Sequence, residues 1–362
     1  MRLWAERDGV RLVDSIADAE FRKDSLGSIS IAIVNGRELV WAKSYGFTDR
    51  QRTQRATPAT VYRIASITKQ FTAIALLQLV DRKVARLSDP VDQYVPEMRA
   101  VRGLVRPPSL VQLATMTSGL ARNPADRQKY ANGLDGWMGT LFSALPVTEA
   151  VSEPGTTYRY SNVGYAILGA AVSRAAKTSY VDYVRAHILR PLGMTSTDFV
   201  LSEAMRARLA TGVDYDVLVK DSLNYEDAAA SHRDGPGWGV PNGGLYSTVG
   251  DLARLVSLEL GFGPDSVLSA GALAMRNAVP VVAHPSLDWG YGFGQQVQRW
   301  GAAIAVGHSG NTSGYTSQVV YDASRAFGVI VLRSAGGGQA DASRLAFSAF
   351  GKLVSLERGG RP

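Results

Sequence analysis

The chain opens on an amphipathic pattern. Val10, Leu12, Val13, Ile16, Ala17, Ala19 and Phe21 recur at helical spacing, which predicts a helix over residues 10–24. The period then changes. Ser28-Ile29-Ser30-Ile31-Ala32-Ile33-Val34 and Arg37-Glu38-Leu39-Val40-Trp41-Ala42 flank Asn35-Gly36, and Asn-Gly between two such runs is a strong hairpin signal. The C-terminal end has the same character. Strands are predicted over 293–298, 302–306, 316–321 and 327–332, with breaks at 299–301, 307–314 and 322–325, and a closing helix over 341–356. The stretch from about 60 to 285 reads mainly as helices, at 66–82, 109–117, 135–144, 162–176, 179–189 and 249–260. Pro- and Gly-rich segments such as 234–239 separate them. No repeat of about 20–50 residues is visible.

This order predicts an α/β (α+β) fold. An antiparallel sheet is flanked by the terminal helices, with a large, mainly helical region inserted. The expected division is 1–59 plus 286–362 for the sheet region and 60–285 for the helical region, with an active site between them.

Composition narrows the classes. Of 362 residues, 46% are hydrophobic and 20% charged, as in ordinary globular proteins. No run of about 18 apolar residues is present, so no membrane span is expected. Residues 1–8 contain no apolar core of a secretory signal. The expected compartment is the cytoplasm for the chain as given, or the periplasm or medium if a precursor segment has been removed. With no cysteine, disulfides and thiol catalysis are excluded. The net charge of +7 comes from scattered basic residues and no nucleic-acid motif accompanies it. The expected partner is a small-molecule or peptide substrate and no nucleic acid; oligomeric state is not legible.

Three segments carry candidate chemistry. Ser66 stands at the start of a predicted helix with Lys69 three residues on, in the only Ser-x-x-Lys of the chain. A lone serine there more often caps the helix. The i,i+3 spacing, however, puts the lysine on the hydroxyl's face. Burial and the helix dipole would lower its pKa, and a neutral lysine can take the serine proton. The helix start also leaves the Ser66 N–H free for an oxyanion.

Tyr160-Ser161-Asn162 precedes the apolar run Val163 to Gly169. Asn162 is either a cap for that helix or a substrate-binding amide; Tyr160 either packs or shares a proton with Lys69. A second Tyr-x-Asn, Tyr130-Ala131-Asn132, lacks a following apolar helix and ranks as a decoy.

His308-Ser309-Gly310-Asn311 follows a predicted strand, between Gly307 and Gly314. It is either a surface turn or a strand edge able to pair with an extended substrate, with Asn311 supplying a second oxyanion N–H.

In this order, the three segments resemble the serine β-lactamase and penicillin-binding-protein superfamily. The resemblance is to its class C branch of class C β-lactamases, D,D-carboxypeptidases, D-aminopeptidases and family VIII esterases. Leu113 to Leu120, Pro154-Gly155, Pro191 to Met194 and Gly243 to Thr248 also resemble it, so the likeness runs from about 28 to 333. It implies that Ser66 attacks a carbonyl and that Lys69 and Tyr160 share the acid–base work. It further implies that Asn162 binds the amide side of the substrate and that the N–H groups of Ser66 and Asn311 form the oxyanion hole. His308 completes the proton network or meets a substrate carboxylate. No metal or organic cofactor is implied. His308-Ser309-Gly310 stands where classical β-lactamases have Lys-Thr-Gly, a departure toward D-peptidases and D-aminopeptidases. The expected function is a serine hydrolase acting through an acyl-enzyme on amide or ester bonds: D-amino-acid peptides or amides, β-lactams or small esters. The alternative is a slow-turnover penicillin-binding or sensor module. Trp137, Tyr215, Tyr225, Trp238 and Asn242 are wall candidates whose commoner role is packing.

Overall fold

The computed structural model describes residues 8–126, 129, 133–216, 222–226, 237–278, 281–282, 288–301 and 303–359. Its centre is an eight-stranded antiparallel sheet. The strands are β1 (Ser28–Asn35), β2 (Glu38–Gly46), β3 (Val281–Val282), β4 (Trp289–Gly292), β5 (Gln295–Trp300), β6 (Ala303–Thr312), β7 (Tyr315–Asp322) and β8 (Phe327–Arg333). Their order across the sheet is β2-β1-β8-β7-β6-β5-β4-β3. The first hairpin turns just after Asn35, where Gly36 takes a φ of +57° that a side chain would resist.

Both faces of the sheet are covered, which explains the nearly unbroken apolar runs of β1 and β8. Ile29, Ile31, Ile33, Val329 and Val331 face the terminal helices, α1 (Asp8–Arg22) and the C-terminal helix Ala342–Gly359. The Glu20 carboxylate on α1 meets Arg344 on the other. Ala32, Val34, Ile330 and Leu332 face the large core built with the middle of the chain. In that core lie α2 (Thr68–Asp81) and the helix Asn162–Ala176, both apolar around most of their circumference.

The β strands differ from expectation at two places. β6 runs unbroken through 307–312, where a break was expected; only Ser313-Gly314 turns. Its polar Gly-His-Ser-Gly-Asn composition reads as a loop, yet ladder bonds to β7 hold it extended. β4, with alternating aromatic and glycine residues, was not anticipated. The turn at Phe293-Gly294 begins where a strand was predicted.

One buried ion pair stiffens the core below the β4–β5 turn. Arg276 and Glu259 are both inaccessible and bond twice, at 2.8 and 2.6 Å, while Arg276 also donates to the Phe293 carbonyl at 2.6 Å. Gln295 donates to Glu259 at 3.1 Å. Glu259→Ala strands the guanidinium without its counter-charge, so we expect a loss of about 3 kcal/mol in urea unfolding. A loss below about 1 kcal/mol would show that the pair is dispensable.

Candidate active site

The segment Tyr62–Arg63 pairs with Tyr246–Ser247 and then turns sharply. Ala65 makes the turn with φ +47°, a left-handed conformation that costs a side-chain-bearing residue roughly 1–2 kcal/mol. A single 3₁₀ turn, Ala65–Ile67, then leads into α2. Neither helix start has a side-chain cap, so the Ser66 hydroxyl is not used for capping. The Ser66 amide lies in the first turn, where no preceding carbonyl can take its N–H.

Lys69 has no accessible surface. Its Nζ lies 3.0 Å from Ser66 Oγ and donates to the Asn242 carbonyl at 2.8 Å. Burial, with the nearby positive charge of Arg122 behind it, holds the lysine well below its ordinary pKa. Among the described residues no carboxylate offsets this, so the shift favours the neutral amine, whose lone pair can take the serine proton.

Tyr160 stands over this pair. Lys69 Nζ is 5.0 Å from its ring centroid, and the Arg122 guanidinium carbon is 5.1 Å from the same centroid. Burial pushes the phenol up to about 12, while a hydrogen bond with Ser66 and the charge of Arg122 pull it back. The helix after it is capped by Ser161, whose Oγ accepts from the Gly164 N–H at 3.0 Å. The capping role thus falls to Ser161 and leaves the Asn162 side chain free of it. Asn162 Nδ2 donates to Asn123 Oδ1 at 2.9 Å, and its own Oδ1 is buried without a partner.

The end of β6 forms the opposite side. β6 pairs with β5 only as far as Gly307, while its pairing with β7 continues to Thr312. The edge beyond Gly307 is therefore open. The Ser309 N–H points to that edge, where Gln296 Oε1 takes it at 3.2 Å. Alternation along the strand sends the Asn311 N–H to the same side. Gly310 lets the strand approach the Ser66 turn: a Cβ there would sit 2.2 Å from both the Ile64 carbonyl oxygen and Ser317 Oγ. Ser317 Oγ donates to that carbonyl at 3.0 Å and ties the turn to the sheet.

His308 is 1% exposed. Its Nδ1 contacts the Ser309 carbonyl at 2.5 Å, so Nδ1 carries the proton. Its Nε2 then accepts from the Tyr291 hydroxyl at 3.0 Å. Burial foremost, and Lys69 next to it whenever that amine is charged, push its pKa down to about 3. His308 is thus a neutral, doubly held imidazole and offers a substrate carboxylate no charge. The sign for stability follows. Below about pH 6.5 the unfolded chain takes up a proton that the folded chain refuses, so stability falls by up to about 1.4 kcal/mol per pH unit toward pH 3. The drop in urea midpoint from pH 7 to pH 5 is expected to be smaller in His308→Asn than in the native protein. An equal drop would show that His308 is not held neutral.

The fold thus brings Ser66, Lys69, Tyr160, Asn162 and His308 to one place. Three participants were missed, the strained Ala65, Arg122 and Tyr291, and Asn242, a wall candidate, takes part through its carbonyl. The positive φ and the carbonyl leave no sequence signal, and nothing in the residues flanking Arg122 (Ala121, Asn123) or Tyr291 (Gly290, Gly292) marks either. Of the wall candidates, Trp137 and Trp238 are buried at 5% and 8% exposure and pack in the core. Asn242 contributes through its carbonyl, which takes the Lys69 bond, and through its side chain, whose Nδ2 donates to the Asn162 carbonyl at 3.2 Å. The side chains of Tyr215 and Tyr225, and the decoy Tyr130-Ala131-Asn132, lie outside the described residues.

The family model described as Beta-lactamase matches residues 13–350, and the chain belongs to that family. Its fold is that of the β-lactamases and penicillin-binding proteins. The penicillin-binding protein homologue of Pyrococcus abyssi, an octamer, superposes with a TM-score of 0.80 at 26% identity, over 96% of this chain and 77% of that one. The D-amino acid amidase of Ochrobactrum anthropi SV3 superposes with a TM-score of 0.79 at 21% identity, over 98% and 100%, a likeness of fold. Among curated proteins, Protein flp of Staphylococcus aureus strain MW2 is 26% identical over 330 residues, or 90% of this chain. The match spans 63% of that relative's length. Among the described residues, no helix is long and apolar enough to cross a membrane.

Proposed function

We propose that the protein is a serine hydrolase that forms an acyl-enzyme on Ser66 and cleaves amide or ester bonds. The observation that carries this is the 3.0 Å contact between Ser66 Oγ and a fully buried, charge-suppressed Lys69.

Ser66 Oγ attacks the substrate carbonyl carbon and its proton passes to Lys69 Nζ. The carbonyl oxygen becomes an oxyanion, received by the N–H groups of Ser66 and Asn311. The tetrahedral species collapses, the bond to the leaving group breaks, and the leaving atom takes a proton delivered through Tyr160. A water then attacks the Ser66 ester with the same pair as base, releasing the acid. Tyr160 suits delivery better than storage of charge, since its phenol titrates far above neutrality. Asn162, with an unpaired buried Oδ1, receives an N–H of the acyl group. The open edge of β6 lines an extended substrate.

The substrates are small: D-amino-acid peptides or amides, small esters, or β-lactams. The neutral His308 favours the first two, because it offers a β-lactam carboxylate no charge. A panel of D-alanyl p-nitroanilide, p-nitrophenyl butyrate and nitrocefin tests this. Turnover of the anilide or the ester is expected, with nitrocefin slowest. Turnover of none would refute the reading.

A further inference from the structure

The neutral His308 supplies no cation on the strand side of the site. On the other side stands Arg122. It is exposed, and among the described residues it forms no salt bridge. Its guanidinium lies 5.1 Å from the Tyr160 ring centroid. Its own backbone carbonyl accepts from the Asn162 N–H at 2.8 Å, so the loop that carries it is fastened to the start of the Asn162 helix. The next residue, Asn123, holds the Asn162 side chain. Arg122 therefore sits on the same wall as the amide proposed to face the acyl group, and among the described residues no carboxylate pairs with it.

A guanidinium carried beside a binding amide by a fastened loop, with no salt bridge among the described residues, can receive a carboxylate through two parallel N–H groups. We propose that Arg122 reads a carboxylate on the acyl part of the substrate. The preferred acyl groups would be those of dicarboxylic half-esters and half-amides or of acidic amino acids, with the anion at the Asn162 wall rather than at His308. The proposal rests on the Ser66 acyl-enzyme reading, since that reading places the acyl group along Asn162.

The test compares p-nitrophenyl hydrogen glutarate with p-nitrophenyl valerate, two esters of equal acyl length that differ in a terminal carboxylate. The expected kcat/KM ratio for the native protein is roughly five- to tenfold in favour of the anionic ester, chiefly through KM. In Arg122→Gln the ratio should fall to about one or below, and Arg122→Lys should recover part of it. Added salt should erode the native ratio. Because the ratio is taken within each variant, a general loss of activity does not disturb it. A native ratio near one, or a preference that survives in Arg122→Gln, overturns the proposal while Ser66-dependent turnover of both esters keeps the hydrolase reading intact. Turnover of both esters that falls only a few fold in Ser66→Ala overturns the hydrolase reading itself.

Discussion

Ser66→Ala is expected to lower kcat/KM at least about 10³-fold toward every substrate the native protein turns over. The argument is geometric. The hydroxyl is spent on no cap, it stands at the mouth of an uncapped helix start, and it touches a desolvated amine. Removing it leaves Lys69, Tyr160 and the two backbone N–H groups in place. Those can still polarise a carbonyl and orient water, so residual activity above background is expected. Ser66 is only half-buried, so the free energy of urea unfolding should change by less than about 0.5 kcal/mol. A drop of only a few fold would mean that the serine positions water or substrate and is not acylated.

Lys69→Met is expected to act in two directions. As general base, Lys69 accounts for about 10²–10⁴ in rate, and methionine of similar length removes the base while filling its space. The fold, however, should gain. The folded chain holds Lys69 below its ordinary pKa, so between that lowered pKa and about 10.5 the unfolded chain binds a proton that the folded chain does not. The contribution to stability is therefore negative at pH 7 and recovers only as the pH approaches 10.5. Methionine abolishes that cost, and the thermal midpoint should rise even as activity disappears. Activity in the native protein should increase with pH on the acid side, as the amine loses its proton. Lys69→Arg, which cannot be neutralised, should be as inactive as methionine and less stable. A lysine that merely holds the fold together would give the reverse pattern, with lower stability in Lys69→Met.

Much of this arrangement was legible in the chain because it is local. The spacing of Ser66 and Lys69 follows from one helical turn. The apolar runs of β1 and β8 reveal a sheet covered on both faces, and the terminal helices show their period plainly. What was hidden depends on contacts across the chain. The Lys69–Asn242 bond joins positions 173 residues apart and uses a carbonyl that every residue has. Tyr291 reaches His308 through a strand that did not register, because its glycines dilute the strand signal. The β6 segment around His308 read as a loop because one of its edges is left open, and open polar edges carry little β propensity. Ser161 rather than Asn162 caps its helix, a choice between two capping residues that only the backbone angles decide.

The central claim is that Ser66 becomes acylated. The most direct measurement uses a p-nitrophenyl alkylphosphonate, whose serine adduct does not hydrolyse. Activity should be lost in step with release of one equivalent of p-nitrophenol, and peptide mass spectrometry should place the phosphonyl group on Ser66. The Ser66→Ala variant should take up none. A label on another residue, or full ester hydrolysis by a protein that remains unlabelled, would contradict the account.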